Sequence, residues 1–97
     1  MNKTICEFLT SKGFIKKNQD TMIYELAKNS GIVISSFEDC EDSQKEKYEF
    51  ILNYLSEFSG DPQLIFCGLS EEVLKDKFDI LYQLSYNLFS FLKDKNL

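Results

Sequence analysis

Tyr24-Glu25-Leu26-Ala27-Lys28-Asn29-Ser30-Gly31-Ile32-Val33-Ile34-Ser35-Ser36-Phe37 is the stretch on which the fold turns. Met22, Tyr24 and Leu26 alternate with Ile23 and Glu25, and Ile32-Val33-Ile34 is a β-branched run that packs well on a pleated surface and loses rotamer freedom in a helix. Period two with β-branching reads as strands. Asn18-Gln19-Asp20 and Lys28-Asn29-Ser30-Gly31 are turn-forming clusters of hairpin length, with Gly31 able to take a positive φ. With Phe14-Ile15 as the first strand, residues 14–37 are expected to form a three-stranded antiparallel meander.

Helical periodicity flanks this core on both sides. Thr4-Ile5-Cys6-Glu7 has the spacing of a capping box, and Ile5, Phe8 and Leu9 then share a face until Gly13, where a left-handed glycine followed by apolar Phe14 ends the helix. Ser43-Gln44-Lys45-Glu46 repeats the box, and Tyr48, Ile51, Leu52, Leu55 and Phe58 recur at three and four residues, predicting a second helix that closes at Gly60. Phe50 and Tyr54 would form a second stripe on it. Gln63 to Cys67 is too short to assign. Ser70 is a cap followed by Glu71 and Glu72, which suit a helix N-terminus, and a last helix is expected from Glu71 to Lys93. Leu74, Phe78, Leu81, Leu84, Leu88 and Phe91 make one stripe of it, and Tyr82, Tyr86 and Phe89 a second. At roughly 34 Å it spans a whole domain of this size, so it is also a homodimer candidate. The expected fold is α+β: an N-terminal helix, a three-stranded antiparallel meander, then two helices.

The 97 residues, at 11.3 kDa, are expected to form one domain, 1–97, because two would each fall below the size of a stable core. Histidine, arginine and tryptophan are absent and all 11 basic residues are lysines. Nucleophilic catalysis needs a base beside its nucleophile, and no spacing supplies one for Cys6, Cys40, Cys67 or any serine. The acidic pairs lie in runs where both members ionise, and the scattered glycines build no phosphate loop. The chain is therefore expected to be non-enzymatic and to use no cofactor. No C-x-x-C pair or histidine offers a zinc site, and the acidic run lacks the alternating ligands and mid-loop glycine of a calcium loop. The three cysteines are expected to be reduced thiols, with Cys6 and Cys67 buried.

A second family of folds is visible in the same residues. Tyr24-Glu25-Leu26-Ala27-Lys28-Asn29-Ser30-Gly31-Ile32, with Phe37 and Cys40, then Ile51, Leu55, Phe58 and Asp61-Pro62-Gln63-Leu64-Ile65-Phe66, resembles the helix-turn-helix of the Cro and Xre repressor family over a little under half of the chain. That resemblance implies an all-α bundle and a transcription regulator, whose third, recognition helix has Val33 and Ile34 on its first turn and Phe37 and Cys40 as core positions. Val33 and Ile34 would then be exposed on that helix, and it would offer DNA Ser35, Ser36, Glu38 and Asp39 without an arginine or lysine. The extended reading is preferred, and duplex DNA is not an expected partner.

Charge decides the functional expectation. Residues 1–34 hold three acids and five lysines, residues 35–62 eight acids and two lysines, and residues 63–97 five acids and four lysines, for a net charge of −5. Clustered carboxylates speed encounter with a positive cleft and can occupy sites meant for phosphates. Glu38, Asp39, Glu41, Asp42, Glu46 and Glu49 are the candidate partner-binding residues, with Tyr82, Tyr86 and Phe89 a candidate second interface. The expected function is inhibition of a basic protein, such as a toxin or a nuclease-type defence enzyme, in the manner of an immunity protein or a phage-encoded inhibitor. An assembly subunit is the third reading. No run is long and apolar enough for a membrane span, Ile80 to Leu92 holding nine apolar or tyrosyl residues among thirteen, and a cytoplasmic location is expected.

Overall fold

The computed structural model describes residues 1–28, 30–38, 46–54 and 62–95. Its elements are α1 (Lys3–Ser11), β1 (Ile15–Asn18), β2 (Thr21–Ala27), β3 (Ser30–Glu38), β4 (Glu46–Asn53), β5 (Leu64–Leu69) and α2 (Glu71–Lys95). The strands lie side by side in chain order, each antiparallel to the next. The fold is α+β: one helix, a five-stranded antiparallel sheet and one long helix.

The expected meander is present as β1–β3, and it continues where a helix was expected. Residues 46–53 are strand, with Tyr48, Phe50 and Leu52 fully buried at two-residue spacing. Phe50 and Tyr54 are thus part of a strand face and its exit, not a helical stripe. Residues 64–69, too short to assign from sequence, pair with β4 as the edge strand. The expected cap Ser43 and the later positions Leu55, Phe58 and Gly60 lie outside the described residues. Tyr24–Ala27 and Ser30–Glu38 are strands, so the all-α alternative is not the fold. Gly31 sits inside β3 opposite Glu25 and Asn53, and it is Gly13 and Gly68 that take positive φ.

α1 is capped two residues earlier than its capping box suggests. Asn2 is the cap, its Oδ1 accepting from the Ile5 amide at 2.9 Å, since asparagine matches threonine or betters it in that role. Its other end follows expectation: Gly13 N–H donates to the Thr10 carbonyl, Phe14 N–H donates to the Leu9 carbonyl, and Gly13 stands at φ 98°. That is a Schellman closure with Phe14 turned into the core. Ser70 caps α2 through its Oγ, which accepts from the Val73 amide at 3.2 Å.

Both helices cover the same sheet face. Ile5 and Leu9 of α1 and Leu74, Phe78, Leu81 and Phe89 of α2 form one core with Met22, Ile32, Ile34, Tyr48, Phe50 and Leu52. The Phe78 ring is its hub, with centroids 5.5 Å from Phe8, 5.8 Å from Phe14 and 6.4 Å from Phe50. No helix among the described residues is long and apolar enough to cross a membrane.

Candidate functional site

Three acidic side chains, Glu46, Glu71 and Glu72, converge where β4 and α2 begin. Asn2, Glu46, Lys47, Tyr48, Ser70, Glu71 and Glu72 line an open cleft of about 390 Å³. Asn2 joins the two elements: its backbone N–H donates to Glu46 Oε2 at 2.9 Å, and its Nδ2 donates to Glu71 Oε1 at 3.0 Å and to Tyr48 Oη at 3.3 Å. Tyr48 Oη donates in turn to Glu46 Oε2 at 2.7 Å. The Met1 ammonium lies 3.2 Å from Glu46 Oε1 and 3.1 Å from Asp20 Oδ1. Three segments far apart in sequence, at Asn2, Glu46–Tyr48 and Glu71, therefore form one floor.

Electrostatics fix the protonation of that floor. Partial burial pushes the Glu46 carboxyl upward, but hydrogen bonds from Tyr48, the Met1 ammonium and the Asn2 amide outweigh it, so Glu46 titrates below the ordinary carboxylate value. The Met1 ammonium is disfavoured by burial and favoured more strongly by Asp20 and Glu46, leaving it raised. Burial first, and then the Glu46 carboxylate, push the Tyr48 phenol far above its usual range. Glu46 is thus a fixed negative charge and not a proton donor at neutral pH.

The six carboxylates expected to bind a partner do not stand on one surface. Glu46 is in the cleft. Glu49 points to the opposite face of the sheet, where its Oε1 accepts from the Cys67 thiol at 3.3 Å. Register sets Glu38 opposite Glu46 across β3 and β4. Asp39, Glu41 and Asp42 lie outside the described residues. Cys67 is exposed and Cys6 half-buried, against the expectation that both are buried, and neither is in a disulfide. The Glu49 hydrogen bond, followed by burial, raises the Cys67 thiol pKa.

No family model, curated protein or solved structure matches this chain. Its own geometry must carry the functional argument.

That geometry also revises the second candidate surface. Phe89 is 5% exposed and packs on Tyr54, with ring centroids 5.8 Å apart, and Tyr82 is half-buried against Tyr24. Of the three, Tyr86 alone is largely exposed, at 45%. The outward stripe of α2 is instead Val73, Ile80, Leu84 and Phe91. Sequence reasoning missed Asn2, Tyr48, Glu71 and Glu72 as cleft residues. Glu71 and Glu72 were visible only as favourable charges at a helix start, and Asn2 was hidden by the better-known box at Thr4. Among the described residues no three cysteine or carboxylate side chains are grouped to hold a metal ion.

Proposed function

We propose that this chain is a non-enzymatic domain that binds a basic protein through its acidic end and inhibits it, as an immunity protein or an inhibitor of a nucleic-acid-processing enzyme does. The observation that supports this most is the cleft. Glu46, Glu71 and Glu72 come together from β4 and α2, and in the sequence residues 38–42, ahead of β4, hold four acids among five. Three carboxylates around an open, pre-formed depression suit a lysine or arginine side chain, and the surrounding field steers a positive surface toward it. An enzyme that grips phosphates carries such a surface by necessity.

The test compares the parent with E71Q/E72Q, whose changes touch exposed or half-buried side chains and leave Glu46 in place. The parent should capture a basic protein from its native host and suppress that protein's activity. The variant should lose at least tenfold in affinity, and its association should depend less on salt. Equal affinity of the two would exclude the cleft. Duplex DNA should show no binding at low salt, and a submicromolar sequence-specific complex would overturn the proposal.

A further inference from the structure

The sheet face turned away from both helices carries side chains that the acidic cleft does not use. Register sets Ile15 beside Ile23, Ile23 beside Val33, Val33 beside Ile51 and Ile51 beside Ile65. Five β-branched aliphatic residues thus form one unbroken row across all five strands. Ile15 is 63% and Ile65 53% exposed at its two ends, Ile23 and Ile51 are half-buried, Val33 at its centre is 7% exposed, and Phe37, further along β3 on the same face, is 38% exposed. A single surface isoleucine needs no explanation, but a contiguous apolar row on a face that alternation normally leaves polar marks an interaction surface.

We propose that this face is a homodimer interface, with two copies packed sheet against sheet about a two-fold axis along β3. The row itself favours a second copy over an unrelated partner, because it reads Ile-Ile-Val-Ile-Ile from either end. The axis carries β1 onto the partner's β5 and β2 onto the partner's β4. Ile15 then lies over Ile65 of the partner subunit, Ile23 over the partner's Ile51, and Val33 and Phe37 each over their own counterparts. The flanking charges are compatible with the same operation. Thr21, Ser35 and Glu49 border the row on one side and Glu25, Gly31 and Asn53 on the other. Glu49 therefore meets the partner's Thr21, and Glu25 the partner's Asn53, so no carboxylate opposes a carboxylate. An isologous interface needs this self-complementarity.

The area suffices. Five strands spaced by about 4.8 Å, averaging about seven residues that rise about 3.4 Å apiece, give a footprint of about 550 Å² per copy and about 1,100 Å² in total, just above the roughly 1,000 Å² of a specific interface. Packed sheets of this kind bring their inner faces about 10 Å apart, a gap that isoleucine and phenylalanine side chains fill. The cleft residues Asn2, Ser70, Glu71 and Glu72 belong to the helix-bearing side, so the dimer presents two open acidic clefts facing outward.

Sedimentation equilibrium of the full chain from about 1 µM to about 1 mM tests the proposal. The mass should rise from monomer to dimer across that range. I15K/I65K, at the two most exposed positions of the row, places ammonium groups against each other and should remain monomeric with an unchanged circular-dichroism spectrum and melting temperature. L84K, on the outward stripe of α2, should dimerise as the parent does. A parent that stays monomeric at about 1 mM, a dimer that survives I15K/I65K, or one abolished by L84K would each overturn the interface. If I15K/I65K fails to fold, methyl chemical shifts of the parent decide instead. Concentration-dependent shifts at Ile23, Val33 and Ile51 support the sheet face, and shifts confined to α2 exclude it.

Discussion

Glu46 ties the acidic character of the sequence to the stability of the fold. Its carboxylate accepts from Tyr48 and the Asn2 amide, and its pKa in the folded chain lies below the ordinary value near 4.5. A carboxyl depressed in this way contributes stability above its unfolded value, and that contribution is lost as pH falls through the folded value. Thermal melts should therefore be level from neutral pH to about 5 and decline below it, and E46Q should flatten that decline. A parent-like acid slope in E46Q would place the sensitivity elsewhere. Tyr48 is fully buried and donates the shortest of these bonds. Y48F should cost about 1.5–3 kcal/mol in urea titration, the range for a hydrogen bond to a charged group, and shift the acid transition toward neutral pH. Gly13 is constrained by backbone rather than charge. At φ 98°, with a Cβ built there only 3.0 Å from Tyr24 Cε2, G13A should destabilise by about 1–2 kcal/mol, and an unchanged urea midpoint would contradict the Schellman assignment.

At the scale of elements, what was legible depended on whether one period stood alone. Met22, Tyr24 and Leu26 alternate without competition, Ile32-Val33-Ile34 has no good helical reading, and α2 repeats its stripe for many turns, so these three were readable. β4 satisfies both templates at once: Tyr48, Ile51 and Leu52 fit a helix, while Tyr48, Phe50 and Leu52 fit a strand, and the box at Ser43 tips the local choice the wrong way. The arbiter is non-local. A meander ending at β3 would leave its most apolar strand as an edge, with a row of unpaired backbone groups. Pairing with β4 and β5 makes β3 the centre of the sheet. The candidate site was legible only in its charge, because nothing in the spacing of Asn2, Glu46 and Glu71 says that an antiparallel crossing brings them within hydrogen-bond reach. α2 also contains a residue at odds with its surroundings. Ser85 is buried among Leu81, Phe89 and their neighbours, and its Oγ has no hydrogen-bond partner among the described residues. S85A should therefore leave stability unchanged or raise it by about 1 kcal/mol, whereas L74A, at a fully buried position on the same face, should lose about 2–5 kcal/mol. A loss in S85A comparable to that of L74A would mean that the hydroxyl is satisfied.

Charge is unevenly distributed at the scale of the whole molecule. The net charge is −5, and residues 35–62 hold eight of the sixteen acids with only two of the lysines. Register sets Glu38 and Glu46 opposite one another at the end of the β3–β4 ladder. Among the described residues, Glu46 is the acid of this segment that bonds a core side chain, Tyr48, and the buried cluster is otherwise built from Ile5, Ile34, Phe50, Leu74 and their neighbours. Replacing Glu38, Asp39, Glu41 and Asp42 together by their amides should thus leave the melting temperature unchanged or slightly raised, because surface charges normally act within about 0.5 kcal/mol each and their mutual repulsion is relieved. On the proposed function, the same substitution should slow association with a basic partner and weaken its salt dependence, while dissociation, if the Glu46–Glu71–Glu72 cleft holds the partner, changes less. Stopped-flow rates at two ionic strengths, set beside thermal melts, separate these effects. A melting temperature lowered by several degrees would make the four carboxylates structural, and association as fast and as salt-sensitive as the parent's would remove them from the binding surface and leave the cleft to act alone.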